Sequence, residues 1–311
     1  MVKKKGTVQL TEDTLKKNLE ATKVQSNGDI TQKIADLTVE KETLQAKNKE
    51  QAEEIQELYQ MLADKDKPEY LVVIPYKASE AQGNELYLAI CGWLKHFKEH
   101  FRIVIVGDKP KDLNHELPKN VSEIVHLPHT CQTENPPLDI VAKLQEVIAT
   151  YPEYPGLILT NDDIYPVNDF DITEVKLLKS DGTLTDRKST GNLYAENRAK
   201  TLKLLQAEQL SVYDYGCHTP VYFEATKFLE LVEKFNLTES ACLITSLYFN
   251  YFYPNRIPVK LELEYDNLKA GVYRQNANLA RLQEIKSRKI WINNSVSGWS
   301  DQFAAIIANL I

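Results

Sequence analysis

The stretch LILTNDDI, at residues 157–164, joins a short apolar run to two adjacent carboxylates, those of Asp162 and Asp163. The apolar run follows Pro155 and Gly156 and is too short for a helix, so it predicts a buried strand. Both carboxylates then lie at the carboxyl end of that strand. In an open α/β sheet this edge forms the ligand crevice, and we therefore expect a functional site here.

Two neighbouring carboxylates repel each other unless a cation lies between them. Oxygen ligands of this kind hold Mg²⁺ or Mn²⁺ together with the phosphates of a substrate. The pair therefore indicates a divalent cation and a nucleotide diphosphate at Asp162 and Asp163. In an alternative interpretation, Asn161 and the two aspartates form a turn that caps the next segment, because Asn and Asp side chains bond their own backbone.

Apolar runs alternate with helical patterns from Tyr70 onward. The hydrophobic spacing predicts strands at 71–75, 102–108 and 123–126, and helices at 86–101, 138–148, 195–210 and 222–235. Alternation of this kind is typical of a mostly parallel sheet with helices on both faces. We expect one α/β domain over residues 66–311.

A heptad repeat precedes this domain. Its two core positions hold Ile30, Leu37, Leu44, Gln51 and Leu58, and Ile34, Lys41, Asn48, Ile55 and Leu62. Apolar residues fill most of these positions and the intervening residues are Glu, Lys and Gln, so the repeat predicts a coiled-coil helix over 30–65. We expect it to join copies of the chain through residues 30–62. The alternative is an amphipathic helix that packs back on the domain.

Two breaks should bound this helix. The segment SNGD at residues 26–29 is expected to interrupt it, and the charged residues before Pro68 are expected to end it. We then expect residues 1–29 to be a flexible or only partly helical N-terminal segment.

Composition excludes several classes of protein. A formal net charge of −7 argues against a general nucleic-acid binder, because phosphate neutralisation needs a basic surface. The four cysteines are scattered, without the spacing of a zinc site or a redox pair. No run is long enough to span a membrane and no signal peptide is recognisable, so we expect a cytoplasmic protein.

Four motifs occur in a particular order: NELYLAI at 84–90, FRIVIVGDKP at 101–110, NDD at 161–163 and HTP at 218–220. Their order resembles that of the Stealth family of sugar-phosphate transferases. The strands and the acidic pair resemble the nucleotide-sugar-binding half of a GT-A type glycosyltransferase. The resemblance spans about 70–255 and implies a GT-A-like (Rossmann-like) fold. It also implies transfer of a sugar or sugar phosphate from a nucleotide sugar to a glycan or other acceptor.

The resemblance also implies roles for individual residues. Asp162 and Asp163 would be ligands of Mn²⁺ or Mg²⁺ and of the donor phosphates, with Asp163 also taking part in catalysis. Asn161, in the same motif, would contact the nucleotide sugar. His218 would be a catalytic or phosphate-binding residue. Asp108 ends a strand at the predicted ligand edge, and we expect it to contact the base or the ribose.

Several alternatives remain open. The imidazole of His218 could simply bond backbone groups in a turn-like segment, 214–220. The aromatic run at 246–253 predicts either core packing or an acceptor platform. Tyr87 stands where the Stealth family has Arg, and residues 71–77 lack its Trp-Val-Asp-Gly core. The alternative function is therefore a non-catalytic structural or scaffold protein, such as a component of a larger particle, that oligomerises through its coiled coil.

Overall fold

The computed structural model describes residues 12–65, 70–111, 115–129, 133–186, 191–262, 266–274, 279–285 and 287–311. The chain divides into two compact units, residues 1–66 and 67–311. Among the described residues, no helix combines the length and the apolar character needed to span a bilayer.

The smaller unit contains one continuous helix, α1 (Glu12–Lys65), of 54 residues. The predicted interruption at residues 26–29 is therefore wrong. A single Gly costs a helix only about 1 kcal/mol, and strong helix formers on both sides compensate for it. Within the segment predicted to be flexible or partly helical, the chain is helical from Glu12 onward, and residues 1–11 lie outside the described part.

The heptad residues of α1 are largely exposed in the single chain. More than half of the surface of each of five apolar core-position side chains is accessible, namely Ile30, Ile34, Leu37, Leu44 and Ile55. The side chains of Leu58 and Leu62 lie outside the described residues. A long helix with an exposed apolar stripe is compatible with a coiled coil, which stays a prediction.

The larger unit alternates strands and helices. In chain order they are β1 (Tyr70–Tyr76), α2 (Glu85–His96), β2 (Phe101–Gly107), β3 (Val121–Pro128), α3 (Pro136–Thr150), β4 (Gly156–Leu159), β5 (Ile164–Pro166), α4 (Ile172–Lys176), β6 (Lys179–Ser180), α5 (Leu193–Ala207), β7 (Val221–Glu224), α6 (Ala225–Phe235), α7 (Ile244–Phe252), β8 (Val259–Lys260), β9 (Lys269–Val272), α8 (Ala280–Ile285), β10 (Trp291–Asn294), a short 3₁₀ helix (Val296–Gly298) and α9 (Asp301–Leu310).

The central sheet has the strand order β3-β2-β1-β4-β7. Its first four strands in chain order are parallel and β7 is antiparallel to β4. Alternate strand residues pack on opposite faces: Val73 packs with Leu144 of α3 and Phe228 of α6, whereas Val72 packs with Ile90 of α2. The predicted mostly parallel sheet with helices on both faces is confirmed.

The strand order creates a crevice beside β1. The chain builds β2 and β3 on one side of β1 and then crosses to form β4 on the other. Open α/β sheets bind ligands where the order reverses in this way, outside the carboxyl ends of the strands. The backbone N–H of Thr160 donates to the carbonyl of Val73 at 3.0 Å, which holds the residues after β4 against the end of β1.

A smaller sheet has the strand order β5-β10-β9, and its first strand, β5, follows the acidic turn. Its middle strand, β10, is antiparallel to β5 and parallel to β9. The backbone N–H of Asn294 donates to the carbonyl of Asp163 at 3.3 Å. This sheet therefore brings a C-terminal strand beside the acidic turn.

Two predicted helices run into strand residues, and the helix predicted at 195–210 spans Leu193–Ala207 instead. Helix α2 ends at His96, so Phe97 and Phe101 are not part of it, although both pack on Trp93 in the same aromatic cluster. The predicted helix at 222–235 begins only at Ala225, because Tyr222 belongs to β7 and pairs with Ile158. In both places an apolar face that suits a helix also suits a buried strand, and pairing with the central sheet decides between them.

Candidate functional site

Asp162 and Asp163 lie in the turn between β4 and β5. The backbone N–H of Ile164 donates to the carbonyl of Asn161 at 3.4 Å across this turn. Residues 161–164 therefore form a backbone turn, as the alternative interpretation of Asn161 and the two aspartates predicts. Both aspartates nevertheless line a cavity, so the turn presents their side chains at the edge of the sheet.

The cavity has a volume of about 260 Å³ and lies at the carboxyl ends of β1 and β4, between the first turns of α2 and α3. We call it the charged cavity. Its charged lining residues are Lys77, Glu80, Glu85, Asp139, Lys143, Asp162 and Asp163. It occupies the crevice that the strand order predicts for a ligand.

The aspartate pair is electrostatically unfavourable when no cation is bound. Burial raises the pKa of Asp162 to about 7, and the nearby charge of Glu85 adds to the shift. Burial also raises the pKa of Asp163 to about 7, with the charges of Asp162 and Glu85 contributing. Near neutral pH the pair therefore retains protons that a bound cation would displace.

Glu85 is a buried carboxyl group of the charged cavity, and only 4% of its surface is exposed. Burial raises its pKa, whereas hydrogen bonds from Asn294 and Gln82 favour the ionised form. The amide side chain of Asn294 donates to it at 2.6 Å, and the backbone N–H of Gln82 donates at 2.7 Å. Tyr165 in turn donates to the Asn294 side-chain oxygen at 2.7 Å. Glu85 is therefore held by the loop that precedes it, through Gln82, and by β10, through Asn294.

Sequence reasoning did not select Glu85 or Asn294 as site residues. A Glu in the first turn of a helix is common, because it complements the helix dipole, and its burial becomes visible only in the fold. Asn294 lies in the segment WINNS at 291–295, for which the sequence predicts either a packed terminal segment or one that closes over a donor. The only signal for Glu85 was its place in the NELYLAI motif.

Lysine side chains bring positive charge to the same cavity. The Lys143 ammonium lies 2.6 Å from a carboxylate oxygen of Asp139, and both side chains are almost fully buried. It also donates to the carbonyl of Tyr76, at the end of β1, at 3.4 Å. At the more exposed rim, Lys77 pairs with Glu80 at 2.6 Å. The cavity therefore contains carboxylates that suit a metal ion and ammonium groups that suit a diphosphate.

The oxygen ligands suit a cation whose coordination the substrate completes. One carboxylate oxygen of Asp163, Oδ1, is buried and has no hydrogen-bond partner among the described residues. Within that same part of the chain, no group of three or more His, Cys, Asp or Glu side chains is arranged to hold a metal ion. Mg²⁺ typically takes one or two carboxylates and fills its remaining positions with phosphates and water. Asp162 and Asp163 fit that arrangement.

Asp108 directly follows β2 and is outside the residues that line the charged cavity. Its carboxylate accepts a hydrogen bond from the backbone N–H of Ala78 at 2.8 Å, and its own N–H donates to the carbonyl of Tyr76 at 3.1 Å. These bonds fix the loop after β1. The predicted contact of Asp108 with a base or ribose stays a prediction.

His218 lines a second cavity of about 350 Å³. We call this the neutral cavity, because no Asp, Glu, Lys or Arg is among its described lining residues. The two cavities share Pro136, Ile140 and Asn161 as walls. The structure therefore brings Asp162 and Asp163 together and places His218 in the neighbouring cavity. Asn161 is common to both.

The backbone at His218 is left-handed, with φ of 47°. This conformation costs a non-Gly residue roughly 1 kcal/mol. The preceding turn is fixed by the carboxylate of Asp214, which accepts from the N–H of Gly216 at 3.0 Å. The side chain of His218 is exposed, so it is not a core residue.

The aromatic run at 246–253 is largely structural. Helix α7 buries Tyr248 and Phe249, which contact Phe223 of β7 in the main core. The hydroxyl of Tyr248 accepts from the N–H of Glu224 at 3.1 Å. Core packing is confirmed for these rings, and they are absent from the described walls of both cavities.

A scan of the chain against protein-family models matches none of them, and a search of curated proteins finds no similar sequence. The function is therefore inferred from the geometry of the site.

Proposed function

We propose that the chain is a transferase with a GT-A-like fold, similar to the Stealth family, that takes a sugar or sugar phosphate from a nucleotide-activated donor and passes it to a glycan or other acceptor. The observation that carries the proposal is the aspartate pair at the end of β4. Asp162 and Asp163 lie at the strand-order reversal, share a charged cavity, and have pKa values raised to about 7. Groups with such shifts concentrate at functional sites.

The protein residues would mainly bind and orient the donor. Asp162 and Asp163 would lose their protons and hold Mn²⁺ or Mg²⁺ with the donor diphosphate. A bound cation would supply positive charge that stabilises the leaving nucleoside phosphate or diphosphate. Lys143, held by Asp139, would add a fixed positive charge beside β1. Glu85, held by Asn294, would maintain the negative potential that attracts the cation.

Isothermal titration calorimetry with nucleotide sugars and Mn²⁺ tests this proposal. Asp162→Asn and Asp163→Asn each remove one charge with little change of shape, so both should weaken metal-dependent donor binding at least tenfold, or about 1.4 kcal/mol. Asp36→Asn, on α1, provides a matched control at an exposed aspartate. Equal donor affinity with Mn²⁺ and with EDTA would count against the metal site.

The exposed stripe of α1 favours the second candidate function. A helix of 54 residues with accessible Ile34 and Leu37 suits a scaffold that assembles through a coiled coil. That function predicts a stable oligomer that binds neither metal nor nucleotide sugar. Thermal shift with a panel of nucleotide sugars and Mn²⁺ separates the two, because a ligand of the folded state raises the Tm.

A further inference from the structure

Helix α1 exposes an apolar stripe along one side. Between 53% and 60% of the surface is accessible at each of Ile30, Ile34, Leu37, Leu44 and Ile55. The stripe follows the two core positions of the heptad, which are called a and d. Position a holds Ile34, Lys41, Asn48, Ile55 and Leu62, and position d holds Ile30, Leu37, Leu44, Gln51 and Leu58. Apolar surface of this extent marks an interaction site for another protein surface.

The residue types in the stripe select the number of strands. Position a contains the β-branched side chains of Ile34 and Ile55, whereas leucine predominates at position d. This distribution favours two parallel strands over three or four. A polar Asn or Lys at position a also specifies the oligomer state, at a cost in stability. The surface that fits the stripe is therefore a second copy of α1.

Asn48 selects the direction of the second helix. In a parallel pair in register each core residue faces its own counterpart, so the two Asn48 amides can donate to each other. An antiparallel pair sets position a against position d, where Gln51 is the one polar residue of the five. Setting Asn48 against Gln51 also sets Ile34 against Lys65. Facing any of the other four d residues, the buried Asn48 amide would lack a partner, at a cost of about 1–3 kcal/mol.

The charges beside the core also suit a parallel pair. Lys41 occupies position a, and Glu40 occupies position g, which flanks the core. Each core side chain packs into a hole formed by four residues of the facing helix, so Glu40 of one copy would lie beside Lys41 of the other. No like charges face each other where position g of one copy meets position e of the next heptad in the other. These pairs are Lys33 with Thr38, Glu40 with Gln45, Lys47 with Ala52 and Glu54 with Tyr59.

We propose that α1 of two copies of the chain forms a parallel, in-register, two-stranded coiled coil over residues 30–62, with the Asn48 amides paired across its axis. Seven of its ten core layers are apolar. The larger unit begins at residue 67 in each copy, so both larger units follow the same end of the coil. The proposal is independent of the transferase function, because α1 supplies none of the described walls of either cavity.

Light scattering and far-UV circular dichroism on the full chain test the number of strands. The wild-type chain should have the mass of two chains. Asn48→Val should raise the temperature at which the coil unfolds and shift the mass toward larger assemblies, because the polar layer that excludes them is lost. Lys49→Val changes the neighbouring exposed residue, outside both core positions, and should alter neither quantity. A monomeric or trimeric wild-type chain, or an Asn48→Val chain that behaves like the wild type, would overturn the proposal.

A cysteine at one d position tests the direction of the helices. Under mild oxidation, Leu44→Cys should form a disulfide between copies, because identical d residues face each other in a parallel pair within the Cα separation of about 4.4–6.8 Å that a disulfide allows. Val39→Cys, an exposed position outside the core, is the control and should not crosslink. Peptide mapping distinguishes a bond between the two residues 44 from bonds of the native cysteines, Cys91, Cys131, Cys217 and Cys242.

A dimeric Leu44→Cys chain without this bond would overturn the parallel arrangement. If the substitution itself dissociates the chain, Leu37→Cys repeats the measurement at a second d position. Absence of the corresponding bond from a dimeric Leu37→Cys chain counts equally against the proposal.

Discussion

Asn294 donates its side-chain amide to the carboxylate of Glu85 at 2.6 Å, although 209 positions separate the two residues in the chain. The bond joins the first turn of α2 to the end of β10. It holds a buried carboxylate beside the aspartate pair. The shape and charge of the candidate site therefore depend on the C-terminal strand.

Replacing Asn294 by Leu should destabilise the fold by about 1–3 kcal/mol, because Glu85 would remain buried without its side-chain donor. Burial raises the pKa of Glu85, so the group ionises only as the pH rises, and the loss should be larger at pH 8 than at pH 5. Urea unfolding at both pH values measures this. The double variant with Glu85→Gln should recover part of the stability at pH 8, and an equal loss at both pH values would contradict the expectation.

Stability without metal should fall as the pH rises from about 4 to about 7. The pKa of Asp162 is about 7 in the folded protein, against 3.8 for an ordinary aspartate. A carboxyl with a raised pKa favours the folded state while it is protonated and loses this contribution as the pH passes the folded pKa. Asp162→Asn should therefore raise the Tm at pH 8 in EDTA and have little effect at pH 4.

Thermal melts over this pH range compare the wild type with Asp162→Asn, and with Asp36→Asn as the exposed control. Only the difference between variants matters, because other groups also titrate. If Asp162→Asn unfolds the protein at pH 8, the side chain has the capping role instead.

Helix α1 should assemble copies of the chain through its heptad positions. Leu37→Lys places a charge in the predicted seam and should shift light-scattering mass toward the monomer. Val39→Lys changes an equally exposed apolar residue outside the heptad core and should leave the oligomer intact. A monomeric wild-type chain, or dissociation by both variants alike, would reject the coiled coil.

Removing the imidazole of His218 should lower turnover far more than it lowers the free energy of unfolding. His218→Ala should reduce transfer about a hundredfold, the usual effect of losing a general acid-base or phosphate-binding group. His218→Gly should raise stability in urea by up to about 1 kcal/mol, because Gly adopts a left-handed backbone readily. A His218→Ala variant with full turnover would leave only the turn role for this residue.

Local sequence patterns predict much of the central sheet and the position of the acidic pair. Short apolar runs are enough to identify most of the buried strands. The run ending at Leu159 and the carboxylates after it needed no tertiary information to be recognised. Tyr222 was assigned to a helix because its apolar neighbours suit either element, and only pairing with Ile158 places it in a strand. Glu85 and Asn294 were missed because their relationship exists only after distant segments pack together.

The position of β10 determines when the candidate site can form during synthesis of the chain. This strand inserts between β5 and β9 and carries the amide that holds Glu85. A nascent chain that has already formed the central sheet still lacks this partner for a buried carboxylate. The candidate site should therefore reach its described arrangement only after residue 294 has left the ribosome.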